Sequence, residues 1–204
     1  MDAAAKAHKA ERIEAVVAQT QSRRPAAEHQ PIALFVREFL RRADAEDLDA
    51  RSIDELAGAA LSALDFAAER VPGAPKLRVF NPSAAEHGWQ SRHTVVEIVN
   101  DDMPFLVDSV TMEINRQGLR LHLILHPLFD VSRDAGGRLT ALAARGEGGA
   151  GRAPGTPIED ERVVDPAARE ALATGLSKAL RDVRAAVNDW PAMRARLTEA
   201  AAEL

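Results

Sequence analysis

The chain has 204 residues, a formal net charge of −5, 46% hydrophobic but only 4% aromatic residues, no tyrosine and no cysteine. The lack of cysteine excludes disulfides, thiolate metal sites and cysteine nucleophiles, and fits a reducing compartment. Lys and Arg are scattered among acids, so there is no basic footprint for nucleic acid, and no apolar run approaches the ~20 residues of a membrane span. The N-terminus lacks the apolar stretch of a secretory signal, so the expectation is a cytoplasmic protein with a modest core.

Residues 3–20 are Ala-rich with mixed charges and predict a helix whose only apolar stripe is Ile13, Val16 and Val17. Residues 21–30 interrupt it. From Pro31 a second helix sets Phe35, Val36, Phe39 and Leu40 on one face and Arg37, Glu38, Arg41 and Arg42 on the other. Residues 44–51 read as a charged loop. Ser52 and Glu55 have capping-box spacing ahead of Ile53, Leu56, Ala60, Leu61, Leu64 and Ala68, a third helix ending near Val71. Lys76 to Pro82 reads as a short strand, and 83–92 as a loop with Trp89 folded onto the body.

Residues 94–131 alternate with period two, then near 3.6, then two again, the pattern of a strand–helix–strand unit. The first strand runs from Thr94 to Asn100, Asp101 and Asp102 form an acidic turn, and Pro104 opens a helix that stops at Gly118. In the second strand Leu119, Leu121, Leu123 and Leu125 alternate with Arg120, His122, Ile124 and His126. Gly136–Gly137 should start a hairpin whose return arm, Arg138 to Ala143, is short. Residues 144–157 have the Gly/Pro composition of a linker. At Asp165–Pro166 a helix restarts, with Leu172, Leu176, Ala179, Leu180, Val183, Val187 and Trp190 as one stripe and a break or kink expected at Pro191. The division expected is 1–72 helical, 73–143 a strand–helix–strand core, 144–164 a linker and 165–204 a helical segment.

The chemical motifs reduce on inspection. Gly146, Gly148 and Gly151 fit the spacing of a dinucleotide fingerprint, but the prolines that follow allow no helix to meet a pyrophosphate. His122 and His126 share a strand face roughly 13 Å apart, too far for one metal ion. Ser109 has no nucleophile elbow around it. Asp101–Asp102 could form a metal or acid–base cluster, but carboxylates before a helix start also suit capping and the helix dipole, and that reading is preferred. The exposed N–H groups at that helix start make Asn100, Asp102, Pro104 and Phe105 the candidate ligand turn, suited to a carboxylate. No catalytic, cofactor-binding or metal constellation is visible.

The runs Leu77–Pro82, Glu86–Ser91, Val95–Leu119 and His122–Pro127 resemble the N-terminal region of the large bacterial NAD-specific glutamate dehydrogenases. The most distinctive part is DMPFLVDS, Asp102 to Ser109; Ala57–Ala67 and Asp182–Leu197 also match in character, so the resemblance covers roughly 50–200. It implies the first of several ACT-like modules. The fold expected is therefore α+β: N-terminal helices, a small ACT-like βαββα(β) sheet, and a long C-terminal helix across one face. It also implies that the catalytic lysine and the NAD site belong to a different part of the parent enzyme, so this chain alone should be inactive and hold no cofactor. Two departures stand out. Phe105 occupies the place where amino-acid-binding ACT modules typically carry glycine, and the strand the family sets before its last long helix is not recognisable in Gly155–Asp165. The function expected is a non-catalytic regulatory and assembly module whose partners are other domains or subunits of the parent. The alternatives are an amino-acid sensor acting through the turn, and an interaction module pairing through a sheet edge or the His122/His126 face.

Overall fold

The computed structural model describes residues 3–71, 73–144, 146, 151–160 and 162–202, with side chains for all of these except 151–157, 160, 200 and 202. Helices α1 (Ala3–Ser22), α2 (His29–Leu40), α3 (Ala45–Asp49) and α4 (Ile53–Ala67) build an N-terminal layer. The stretches read as interruption and loop contain a 3-10 turn, Ala26–Glu28, and the short α3. The α4 start is the capping box expected: Glu55 N–H donates to Ser52 Oγ at 3.1 Å and Ser52 N–H donates to Glu55 Oε2 at 2.8 Å. The apolar stripes of α1, α2 and α4 meet in one cluster, with Val16, Ile32, Phe35, Val36, Leu40 and Leu56 all at most 3% exposed.

The sheet contains β1 (Lys76–Phe80), β2 (Thr94–Val99), β3 (Leu121–Ile124), β4 (Leu128–Arg133), β5 (Leu139–Ala144) and β6 (Gly151–Asp160), in the order β1-β2-β6-β4-β5 with β3 also on β6. A one-turn helix, α5 (Ala84–His87), sits in the loop before β2, while α6 (Leu106–Arg116) follows β2 and α7 (Pro166–Ala202) follows β6. Because β2 and β3 are each antiparallel to β6, they are parallel to each other, and α6 crosses over the strand inserted between them.

All six residues of β2 are buried, because the strand is covered on both faces. Val96 and Ile98 join Leu106, Val110, Ile114, Leu172, Leu176 and Leu180 under α6 and α7. On the other face Glu97 accepts from Ser62 Oγ of α4 at 3.0 Å. Phe129 of β4 stacks on Phe35 of α2 with centroids 5.0 Å apart. The molecule is therefore α+β in three layers, with the sheet between two sets of helices.

Three expectations are corrected here. The second strand of the central unit is not continuous: it ends at Ile124, and a new strand begins at Leu128 after Pro127. The helix expected from Pro104 begins at Leu106. Most important, the supposed linker 144–164 contains β6, the middle strand of the sheet and the counterpart of the strand that seemed missing.

Two prolines are tolerated in β6 because its edges are used in segments. The β2 ladder spans 155–160, so Pro154 lies outside it; the other edge pairs with β4 over 151–154 and with β3 over 158–160, so Pro157 falls in the gap. Each proline thus has one side with no ladder, where a missing donor removes no bond.

Trp89 is 6% exposed, as its expected fold-back requires, and Gly58 of α4 makes the room. A Cβ at Gly58 would overlap Trp89 Cβ and lie 2.6 Å from its Cγ, atoms that cannot swing away. A Cβ at Gly175 of α7 would meet only the mobile ends of Glu113 and Gln117. Gly58→Ala is expected to lose about 2 kcal/mol by overpacking despite its better helix propensity, whereas Gly175→Ala should stay within about 1 kcal/mol of the parent chain. Urea unfolding of both variants checks this, and equal losses would contradict it.

Candidate functional site

Strand β2 ends at Val99, and α6 begins at Leu106 after six intervening residues. Asn100 is fully buried and its Oδ1 accepts from Arg184 Nη2 of α7 at 2.5 Å. Asp101 is held from two sides, by Arg70 Nη2 at 2.6 Å and by Arg184 Nη2 at 3.0 Å. Arg70 lies just past α4 with its side chain 4% exposed, and its Nε donates to Ala74 O at 2.8 Å. Arg133 of β4 donates to the carbonyls of Ala67 at 2.8 Å and Gly137 at 2.9 Å. The turn is therefore the point where α4, β2, β4 and α7 converge.

The electrostatics are lopsided: Arg70, Arg133 and Arg184 cluster about a single carboxylate. Burial pushes the Asp101 carboxyl up, but the hydrogen bonds and charges of Arg70 and Arg184 outweigh it, so the group sits below its ordinary value. Arg133 is lowered, first by burial and then by the charge of Arg70. Asn100 Nδ2, Arg133 Nε and Arg184 Nε are buried without a hydrogen-bond partner among the described residues. Three donors of the turn and its arginines are thus left without an acceptor, which buried polar groups rarely are.

The remaining turn residues behave differently. Asp102 and Pro104 are exposed. The capping reading of Asp101–Asp102 is overturned: the residue at the α6 cap is Phe105, with no side-chain cap bond, while Asp101 is committed to arginines. Phe105 is the one non-glycine among the described residues with positive φ, at 65°, and it is 67% exposed. The turn thus adopts the left-handed backbone that favours glycine, with an aromatic ring in its place.

The two histidines do not form a face. β3 ends before His126, and His122 instead meets His93, with ring centroids 4.5 Å apart. Burial lowers the His126 pKa, the charge of Asp102 opposing. Ser109 lies inside α6, where its N–H bonds Phe105 O. Of the three glycines with fingerprint spacing, Gly148 lies outside the described residues, and Gly151 opens a strand rather than a helix. No group of three or more His, Asp or Glu with metal-binding geometry occurs among the described residues.

Sequence reading missed the arginines, which come from three distant segments and carry no common motif. It also missed a cavity of about 380 Å³ between the N-terminal layer and the sheet, lined in part by Arg51, Trp89, His93, His122 and Glu159. Only contacts made by the folded chain bring these groups together.

Residues 35–176 match the family model described as glutamate dehydrogenase, ACT1 domain. The NAD-specific glutamate dehydrogenase of Halomonas elongata is 42% identical over 172 residues, covering 83% of this chain and 11% of that protein. The NAD-specific glutamate dehydrogenase of Pseudomonas aeruginosa is 34% identical over 170 residues, 82% of this chain and 10% of that protein. The chain thus spans about a tenth of the length of these curated relatives. No helix among the described residues is long and apolar enough to cross a membrane. With a matching family model over most of its length and the DMPFLVDS turn between β2 and α6, the chain belongs to the glutamate dehydrogenase ACT1 family.

Proposed function

We propose that this chain serves as a non-catalytic regulatory and assembly module of a cytoplasmic, NAD-dependent glutamate dehydrogenase. The catalytic region of that enzyme would convert L-glutamate to 2-oxoglutarate and pass hydride to NAD. The observation that carries the reading is the fate of the turn. Asn100 and Asp101 are occupied by Arg70 and Arg184, tying the layers together, while Phe105 is presented outward. Atoms that would face a small ligand are instead spent on tertiary contacts, and the described residues offer no nucleophile–base pair at the turn.

Two measurements test this. The isolated chain should reduce no NAD with glutamate. In the Halomonas elongata relative, deletion of the matching segment should alter subunit assembly or effector response; an enzyme unchanged in both would sink the proposal. The unpartnered donors of Asn100, Arg133 and Arg184 favour a second reading, a sensor for an amino acid whose carboxylate they would bind. Titration calorimetry with a panel of amino acids decides it, and silence across the panel removes the sensor.

A further inference from the structure

Helix α7 has 37 residues and is roughly 55 Å long at ~1.5 Å per residue. Leu172, Leu176 and Leu180 are at most 1% exposed against α6 and the sheet. The bonds of Arg184 to Asn100 and Asp101 mark where the helix passes the end of β2. Beyond that point the cover thins: Val187 is half-buried, and the stripe continues past it. Trp190 lies 18 residues after Leu172, about five turns at ~3.6 residues per turn, and so points the same way. Yet Trp190, Met193 and Leu197 are 58%, 55% and 65% exposed. Phe105, exposed on the turn that Arg184 grips, lies at the same end of the fold.

The exposed half has the repeat of a coiled-coil seam. With Val183, Trp190 and Leu197 at the first core position, Ala186, Met193 and Ala200 fall at the second. Pro191 is off the seam. The flanking charges are complementary: Asp189 and Arg196 occupy equivalent positions one heptad apart, and neither has an ion-pair partner among the described residues.

We propose that a second copy of this chain covers the seam, its α7 antiparallel to the first. Trp190 then packs on Met193 of the second copy, and Leu197 meets the small Ala186, so large side chains oppose smaller ones. The two-fold axis sets Asp189 beside Arg196 of the second copy, twice. A parallel pair would instead stack Trp190 on itself and match Asp189 with Arg194. The seam is short, so association is weak and concentration-dependent.

The proposal rests on the assembly reading above, but its test follows self-association of this chain alone. It can therefore fail while docking to other segments of the parent survives. Sedimentation velocity of the full 204-residue chain over a concentration series is expected to show a monomer–dimer equilibrium. Trp190→Asp should weaken it at least about 30-fold with unchanged circular dichroism, since the ring is exposed in the monomer. Asp189→Arg should weaken it about tenfold, and Asp189→Arg with Arg196→Asp should restore it. A chain that stays monomeric overturns the proposal, as does a dimer indifferent to Trp190→Asp. Failure of the double reversal to restore association overturns the antiparallel pairing.

Discussion

Arg51→Met is expected to destabilise the fold by about 3 kcal/mol, the cost of leaving one member of a buried ion pair alone. Arg51 follows α3, and its guanidinium bonds the Glu159 carboxylate through Nε at 3.0 Å and through Nη2. The two side chains are only 15% and 10% exposed. The pair links the N-terminal helices to β6, so its loss should also loosen one layer from the other. Hydrogen exchange should show α1 to α4 opening more readily than β2 and β6. Replacing both partners by Met should recover most of the stability, because no charge is then left buried. A single substitution costing under about 1 kcal/mol would mean that the pair is solvated and the layers are held by packing alone.

Asp101→Asn is expected to cost about 2 kcal/mol, less than for a fully buried pair because the carboxylate is 44% exposed. The substitution preserves shape but leaves Arg70, Arg133 and Arg184 clustered with no anion among them. The pH dependence has a definite sign. The folded-state pKa of Asp101 lies below its ordinary value, so its contribution is fully present above about pH 4 and is lost as pH falls through the folded pKa. The parent chain should therefore lose stability on acidification below about pH 4 more steeply than Asp101→Asn. Parallel curves would show that the arginines are neutralised by solvent rather than by this carboxylate. If an acidic ligand occupies the site, its binding should instead strengthen in Asp101→Asn, where the arginines are released.

Much of the fold was legible because it is written in local pattern. The Ser52 capping box, the stripe of α2, the alternation in β2 and the Gly136–Gly137 turn are each decided by residues within a few positions of one another. Strand β6 was not legible, because Gly151, Pro154, Gly155 and Pro157 carry the local signal of a linker. Its strand state is set by neighbours on two edges, whose ladders are interrupted where the prolines fall. Burial of both faces of β2 was likewise hidden, since alternation alone does not show that the polar Glu97 meets Ser62 and Arg78 under a helix.

The candidate turn divides in the same way. Its position between a strand and a helix, and its DMPFLVDS run, follow from sequence. Its chemistry does not. Asp101 read as a helix cap and proved to be an anchor for two arginines from α7 and from the segment after α4. Charges separated by 31 and 83 residues along the chain meet only because both helices pack against the same sheet (101 − 70 and 184 − 101).

The sequence by itself determined the long helices, the strands β1 and β2, the family resemblance and the apolar stripe of α7, because periodicity and motif spacing are properties of short segments. Tertiary structure decided which of those features are used. It placed β6 at the centre of the sheet, gathered three arginines about Asp101, held Phe105 outward, and covered Leu172 to Leu180 while leaving Trp190 to Leu197 bare. The physical reason is that burial and charge pairing depend on neighbours distant in sequence, and a stripe that reads as continuous is buried only where other elements pack against it.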